Sequence, residues 1–431
     1  MTHLALAGGT PVRTRPFAPW PEHGEDERVK LLEALATGNW GGYPFPNRCA
    51  LAFAERFAAL HDVRHALAVA NGTIAIEVAL KAAGLRPGDE VILPAYTFEA
   101  SAVPVLRLGG VPVFVDVDPG TYCIDPAATA AAITPRTRAL LPVHLAMNMA
   151  DMDALGALAQ KHNLVVIEDC AHAHGAKWRG RGAGSWGTAG AFSLQTSKLL
   201  TAGEGGVVTT SDDRVAERAE SLVNCGRASR SDRFGERVLG YNYRLSELQA
   251  AVLLGQVERL ADQNARRAAR AERLSGGLVG VPGLRLLRRD ERQTAQAIYQ
   301  FVFQYDAAAF GGASRDRFVA ALEAEGVPCD GLFYEPVYKS RLFAVEPADF
   351  PQLQGRLPWA DASCPVVERA AYDESVWLHH RVLLGTEGDV DDVIEAVTKI
   401  RANPDELRRA EHPLVALKAT NRADRDRVTR A

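Results

Sequence analysis

The sequence predicts an α/β protein, with a large domain on a mainly parallel sheet followed by a smaller α+β domain. Two observations carry that prediction. Short β-rich apolar runs alternate with helical stretches between residues 66 and 210, and strands joined by helical crossovers pair in parallel. After a long helical pattern that opens at Ser246, the alternation gives way to fewer, more widely spaced elements. At 431 residues the chain is long enough for two domains.

The elements follow in order. Residues 1–24 are rich in Pro and Gly and are expected to form an arm. Glu25 to Thr37 carries a helical pattern that Gly38 ends. Gly41, Gly42, Pro44 and Pro46 make a loop that holds two aromatics, Tyr43 and Phe45. Ala66 to Ala70 is a short buried strand, and Thr73 to Ala83 a helix stopped by Gly84. Further strands are expected over Glu90–Leu93, Val111–Val115, Ala139–His144 and Leu164–Asp169, with a helix over Met152–His162. Phe192–Leu194 and Gly206–Thr210 read as two more strands. Ser246-Glu247-Leu248-Gln249 fits a capping box, in which the side chains of Ser246 and Gln249 satisfy each other's backbone N–H groups. The helix it opens is expected to run to about Leu274. Gly276 to Gly283 has a loop composition, which sets the large domain at 25–276 and the small one at 277–410. Within the small domain, Ile298–Tyr305 reads as a strand. Ser314–Glu325, stopped by Gly326, and Val390–Arg401 read as helices. The tail, 411–431, is charged and expected to fray.

Composition narrows the function. The chain is 47% hydrophobic and 24% charged, an ordinary globular balance. A net charge of -4 argues against a nucleic-acid footprint. The six cysteines are scattered, with no C-x-x-C pair, so neither a zinc site nor a disulfide framework is expected. Reduced thiols and a cytoplasmic location follow. No apolar run reaches membrane-spanning length, and Met1 to Pro16 lacks the apolar stretch of a signal peptide.

One lysine and one aspartate carry the chemistry. Lys198 lies in Ala191-Phe192-Ser193-Leu194-Gln195-Thr196-Ser197-Lys198-Leu199-Leu200-Thr201-Ala202-Gly203-Glu204-Gly205-Gly206, a setting that is apolar, small and Gly-rich. Lysines are seldom placed in such surroundings without a reason. Asp169 ends the apolar run Val165-Val166-Ile167-Glu168-Asp169, at the strand end where open α/β sheets bind ligands. A lysine able to form a Schiff base and an Asp able to pair with a pyridinium nitrogen are what pyridoxal 5'-phosphate (PLP) requires. Alone, Asp169 reads equally well as a helix N-cap; Lys198 favours the cofactor reading. Asn71-Gly72-Thr73 follows a strand and opens a helix, which makes either a phosphate cradle or a plain capping turn. Ser193 offers a hydroxyl to the same phosphate. Phe98, in Pro94-Ala95-Tyr96-Thr97-Phe98, is either a ring to stack on the cofactor or a core aromatic. His172 and His174 stand at i, i+2, with no third metal ligand nearby in sequence, and no metal is expected. The pair His379-His380 is undecided on local evidence.

Together these pieces resemble the DegT/DnrJ/EryC1/StrS family of PLP-dependent aminotransferases. The resemblance rests on Asn71-Gly72-Thr73, Pro94 to Phe98, Glu168-Asp169-Cys170-Ala171-His172, Phe192-Ser193 with Lys198, Gly203 to Gly206, and Gly240-Tyr241-Asn242-Tyr243-Arg244-Leu245, in family order across roughly residues 20–400. It implies the aspartate aminotransferase-like fold (fold type I) and a homodimer with active sites at the interface. It also implies roles. Lys198 matches the Schiff-base lysine and Asp169 the pyridine partner. Gly72, Thr73 and Ser193 match the phosphate cradle, and Phe98 the stacking ring. Asn242 matches a phosphate ligand that crosses from the partner subunit. His172 stands where many members carry Gln near the cofactor's phenolic oxygen. Leu4 to Arg13 with Trp20-Pro21 is similar to the subgroup acting on inososes, which implies L-glutamine (or glutamate) as donor and a keto-cyclitol or keto-sugar acceptor, in aminocyclitol or aminosugar biosynthesis. Tyr43, Phe45 and His379 are the candidates for acceptor contact. Ala171 to Ala176 and Leu199 to Glu204 are also similar to 3-amino-5-hydroxybenzoate synthases. A dehydratase of that kind and a nucleotide keto-sugar aminotransferase are the alternatives. A non-catalytic regulatory role is disfavoured, because Lys198, Asp169 and the cradle are all intact. One departure stands out: Met147 occupies a place where members often have Gly.

Overall fold

The computed structural model of the chain describes residues 3–42, 45–227, 238–355 and 357–415. The predicted charged tail lies mostly outside them. Three sheets form among these residues; the smallest has three short strands, and the two others organise the fold. The larger has seven strands: β1 (His65–Val69), β2 (Glu90–Pro94), β3 (Val111–Val115), β4 (Thr137–Leu140), β5 (Val165–Asp169), β6 (Ala189–Ser193) and β7 (Gly206–Thr210). Their spatial order is β1-β7-β6-β5-β4-β2-β3. Pairing is parallel from β3 through β6 and antiparallel on both sides of β7. Strands β2 and β7 are buried at every residue, as strands covered on both faces are.

The second sheet is antiparallel and has four strands, in the order Leu284–Leu286, Gln300–Tyr305, Ser375–His379, Cys329–Asp330. Helices Arg315–Ala324 and Glu387–Ala402 belong to this part of the chain. The N-terminal segment packs onto it. Leu4 and Leu6 are buried. Glu325 accepts the N–H groups of Ala5 and Val12, and Arg13 pairs with Asp389 at 2.7 Å.

The long helix Glu247–Leu278 links the two sheets along the chain. Its capping box is present: Ser246 Oγ accepts the Gln249 N–H, and Gln249 Oε1 accepts the Ser246 N–H. It runs past the expected Leu274, and Gly276 and Gly277 are helical. Gly277 serves close packing there, because a Cβ on it would lie 2.3 Å from Ile394 Cδ1. The helix Arg48–Leu60, which the expectations lack, buries Cys49, Ala50, Phe53, Ala54, Phe57 and Ala58. That spacing is one helical stripe.

The carboxyl ends of β1, β2, β4, β5 and β6 open on the same edge as the start of β7. Register fixes this: Ser193 stands opposite Gly206, Gly206 opposite Val69, and Asp169 opposite Ala191. Segments 70–73, 95–101, 142–147, 170–175 and 194–205 therefore converge on one place.

Candidate active site

A cavity of ≈ 460 Å³ lies at that edge, lined among others by Gly72, Thr73, Phe98, Asp169, His172, Ser193 and Lys198. Its volume falls in the range of about 300–1,000 Å³ usual for cofactor-sized ligands. All seven of these residues are ones the sequence singles out.

Backbone contact builds the floor at one end. Helix Gly72–Ala82 begins at the tip of β1, and Asn71 caps it by accepting the Ile74 N–H at 2.9 Å. Gly72 touches the end of β6 so closely that a Cβ on it would lie 2.6 Å from Ser193 Cβ. Gly206 is as tight, since its Cβ would meet Asn71 O at 2.3 Å. Glycine at both places lets a helix N-terminus and the Ser193 hydroxyl share one corner. Below, His174 Nε2–H donates to Ser193 O at 2.9 Å. Backbone N–H groups and two hydroxyls at a helix N-terminus are the donor set of an anion site.

Asp169 stands at the other end of the cavity, at the tip of β5 and buried. One carboxylate oxygen accepts the Ser101 hydroxyl at 2.7 Å, and the other accepts the Ala171 N–H at 3.1 Å. Ser101 in turn contacts Thr97 Oγ1 at 2.7 Å. Burial raises the Asp169 pKa above the ordinary value, with Ser101, Ala171 and the Lys198 charge opposing. A buried carboxylate with room for a cationic partner suits a protonated ring nitrogen.

His172 lines the same cavity. Its Nδ1 accepts the Ala146 N–H at 3.1 Å, which leaves Nε2–H to donate to the Tyr334 hydroxyl at 3.2 Å. The ring stacks on Tyr299, with centroids 4.0 Å apart. Burial first, then Lys198, holds its pKa well below the ordinary value, so the ring is neutral. The Lys198 ammonium nitrogen lies 4.3 Å from the Tyr299 ring centroid. Phe98 is 56% exposed at the mouth, 6.0 Å from Tyr334 between centroids, which places it out of the core.

The structure does not bring every candidate here. Tyr43 lies outside the described residues. Phe45 lines a separate groove with Ala50 and Leu245. His379 does not line the cavity: its Nδ1 accepts the Arg381 N–H at 3.2 Å. Its neighbour His380 is the one that reaches the lysine segment, donating from Nε2 to Ser197 O at 3.2 Å. Asn242 is exposed and outside this cavity, bridged to Asn224. Met147 is buried, and Gln293 donates to its carbonyl at 3.0 Å. The Ser101, Tyr299 and Tyr334 side chains are site residues the sequence did not reveal. They are small or aromatic and carry no local signature.

One group has metal-site proximity. Ligand-type atoms of His144, Glu168 and Cys170 lie within 4.8 Å of one another. Their hydrogen bonds account for them. Glu168 accepts N–H groups from Gly184 (2.9 Å), Trp186 (2.7 Å) and Gly187 (2.7 Å), and His144 Nε2–H at 3.0 Å. His144 Nδ1 accepts the Ala150 N–H. Burial raises the Cys170 pKa well above its ordinary value, which keeps it a thiol.

Comparison with known proteins gives consistent results. The chain is 49% identical over 414 residues to a Streptoalloteichus tenebrarius protein that carries the name L-glutamine:3-amino-2,3-dideoxy-scyllo-inosose aminotransferase, covering 94% of this chain and 100% of that one. It is 39% identical over 428 residues to the L-glutamine:scyllo-inosose aminotransferase of Streptomyces griseus, covering 94% and 99%. The crystal structure of 3-amino-5-hydroxybenzoic acid synthase superposes with a TM-score of 0.80 at 36% identity, over 91% of this chain and 100% of that one. An aminotransferase from Psychrobacter cryohalolentis gives a TM-score of 0.81 at 32% identity, over 90% and 100%. With residues 21–398 also matching the family as a whole, the chain belongs to the DegT/DnrJ/EryC1/StrS aminotransferase family, PLP-dependent enzymes of fold type I.

Proposed function

We propose that this chain transfers the amino group of L-glutamine to a keto-cyclitol of the inosose type, as a cytoplasmic homodimer. The observation that carries the reading is the convergence of Lys198, Asp169 and the Gly72–Thr73–Ser193 corner on one cavity whose other lining side chains, apart from Glu204, are uncharged or neutral. Lys198 is the only cation among the described lining residues. A nucleotide-linked sugar would bring a diphosphate, and no arginine among the described residues lines the cavity. Arg179 pairs with Asp153, Arg181 lies over Trp186, and Arg244 donates to Asn224. A hydroxyl-rich, uncharged acceptor fits this inventory better. The relatives named above point the same way for donor and acceptor.

In this reading PLP supplies the sink for the donor's Cα electron pair and carries the amino group between the two half-reactions. Gly72 and Thr73, with the Ser193 hydroxyl, bind its phosphate, joined by Asn242 from the other subunit. Asp169 holds the ring nitrogen protonated. Phe98 would cover one face of the ring, and His172, whose one proton is on Nε2, would donate at the phenolic edge. Lys198, free as the amine, would take the proton from the donor's Cα and release it within the first half-reaction, and in the second would deliver a proton to the acceptor's carbonyl carbon. The exposed Leu239 and Tyr241 beside Asn242 support a surface that a second copy covers. The aromatic, Gly/Pro-rich character of the loop that carries Tyr43 suits an acceptor contact, so Tyr43→Ala is expected to raise the acceptor KM. None of the six cysteines is in a disulfide, and no helix among the described residues is long and apolar enough to cross a membrane.

The test is a half-reaction. The PLP-loaded protein shows a visible band that L-glutamine abolishes, and Lys198→Ala shows neither. An inosose then restores the band. A band that ignores glutamine, in a protein that dehydrates an aminodehydroshikimate, would replace this reading with the synthase chemistry.

A further inference from the structure

The two carbonyl groups immediately before Lys198 are each held from far away in sequence. Trp20, in the N-terminal segment, donates its indole N–H to Thr196 O at 2.8 Å. His380, just after the strand Ser375–His379, donates Nε2–H to Ser197 O at 3.2 Å. The two rings also touch each other edge to face, with centroids 4.6 Å apart. Neither side chain is needed to close the turn itself. That is done locally by the Lys198 N–H to Gln195 O (2.8 Å) and the Thr196 N–H to Gly203 O (2.9 Å).

We propose that Trp20 and His380 are positioning residues for Lys198: their N–H groups grip the carbonyls of Thr196 and Ser197 and so fix where the lysine side chain leaves the backbone. The proposal rests on the reading of Lys198 as the cofactor lysine.

Each of the two is held in turn. The segment that carries Trp20 is tied to the long helix through Glu22, which accepts from Arg266 at 2.7 Å and Gln263 at 2.8 Å, and through the Gln256 amide, which donates to Glu22 O at 2.7 Å. Arg267, from the same helix, places its guanidinium 5.1 Å from the Trp20 ring centroid. His380 is fully buried. Arg267, His379 and Arg381 are the charged or titratable groups that face it, and Tyr299 stacks 6.2 Å away. Burial first, then Arg267, holds its pKa well below the ordinary value. The ring is neutral, with its one proton on the nitrogen that faces Ser197. Tyr299 completes the arrangement, since its hydroxyl contacts Ser197 Oγ at 2.9 Å and its ring lies under the Lys198 ammonium. Three distant parts of the chain thus converge on the two residues before the lysine. A shift of a reacting group by even about 1 Å can cost on the order of 100-fold in rate.

The experiment compares PLP-loaded wild type with His380→Phe, which keeps the ring and removes the donor, and with His380→Gln, whose amide can donate from a similar reach. Trp20→Phe tests the other grip. The readouts are kcat, the KM for L-glutamine, the pH midpoint of the visible band and the melting curve of the cofactor-free protein. His380→Phe is expected to lower kcat about tenfold, with KM within about twofold, and to move the band's pH midpoint, as loss of one hydrogen bond at a positioned group predicts. His380→Gln is expected to recover most of both, and the cofactor-free melting curves to stay together. A Phe variant with wild-type kcat and band midpoint overturns the proposal. So does a Gln variant as impaired as Phe, because that marks a packing role only. Absence of any visible band in the wild type overturns the reading of Lys198 itself, and this proposal with it.

Discussion

Gly72→Ala tests the phosphate corner through one methyl group. The alanine Cβ would fall 2.6 Å from Ser193 Cβ, 3.0 Å from its Cα and 3.1 Å from its Oγ. Carbon atoms in contact sit about 3.5–4.0 Å apart, so the two residues must separate by about 1 Å. Neither is free to yield. Ser193 is paired with Gly206 in the sheet, and its carbonyl accepts from His174. Gly72 starts a helix pinned by the Asn71 cap. Overpacking of this kind costs about 1–3 kcal/mol of stability. An opening of about 1 Å also carries a hydrogen bond made near 2.9 Å beyond the productive range. Losing one bond to a charged group costs about 1.5–3 kcal/mol, about 10- to 150-fold in Kd at 1.4 kcal/mol per decade. Urea unfolding measures the first effect, and titration of the cofactor-free protein with PLP measures the second. Adding Ser193→Gly to Gly72→Ala removes the 2.6 Å and 3.1 Å contacts together with the hydroxyl and leaves the 3.0 Å approach to the Cα, so stability should recover in part while affinity does not. A Gly72→Ala protein with wild-type unfolding and a Kd within about twofold of wild type would show that the corner is not built as described.

Three further outcomes are expected. Ser101→Ala removes the hydroxyl held 2.7 Å from Asp169, and kcat should fall about tenfold with little change in KM; unchanged kcat in steady-state assays removes Ser101 from the site. Glu168→Ala strips acceptors from three backbone N–H groups and His144, and urea unfolding should show a loss of about 3–5 kcal/mol. Wild-type stability should not respond to a chelator, and a chelator-sensitive unfolding curve would instead make His144, Glu168 and Cys170 a metal site. His61 and His174 are buried, and burial holds their pKa values at about 4 and about 3, below the ordinary 6.5. Their unfolded forms therefore take up protons first as pH falls. The stability they protect is fully present above pH 6.5 and is lost progressively below it. At pH 5 the two together should cost about 4 kcal/mol relative to pH 7, and equal urea midpoints at the two pH values would refute this.

Legibility in the sequence tracked whether a residue's role is set locally. Asp169, Gly72, Thr73 and Ser193 stand at strand ends or helix starts, where neighbouring residues already fix the direction of the chain; Lys198 lies in the turn after β6 and is marked by its apolar, Gly-rich setting, and all five line one cavity. The Ser246–Gln249 box was equally local and holds as expected. Gly276 and Gly277 mark the limit of that logic. Glycine beside glycine looks like a loop, but the reason for Gly277 is Ile394, more than a hundred residues away.

The adjacent histidines make the same point within the site. Which of His379 and His380 turns inward depends on where the strand Ser375–His379 stops, because successive side chains on a strand alternate between faces. The strand ends at His379, whose ring caps the turn that follows, and His380 begins that turn facing Ser197. A boundary shift of one residue exchanges their roles, and no local pattern in the sequence resolves a boundary so finely. Trp20, Tyr299 and Tyr334 are further out of reach. Tyr299 and Tyr334 are aromatics in an apolar context, and Trp20 sits in a Pro-rich arm; none of the three shows its contact until the fold brings distant segments together. The chemistry-bearing residues that line the cavity can be read from motifs, but the contacts that hold them come from other parts of the fold.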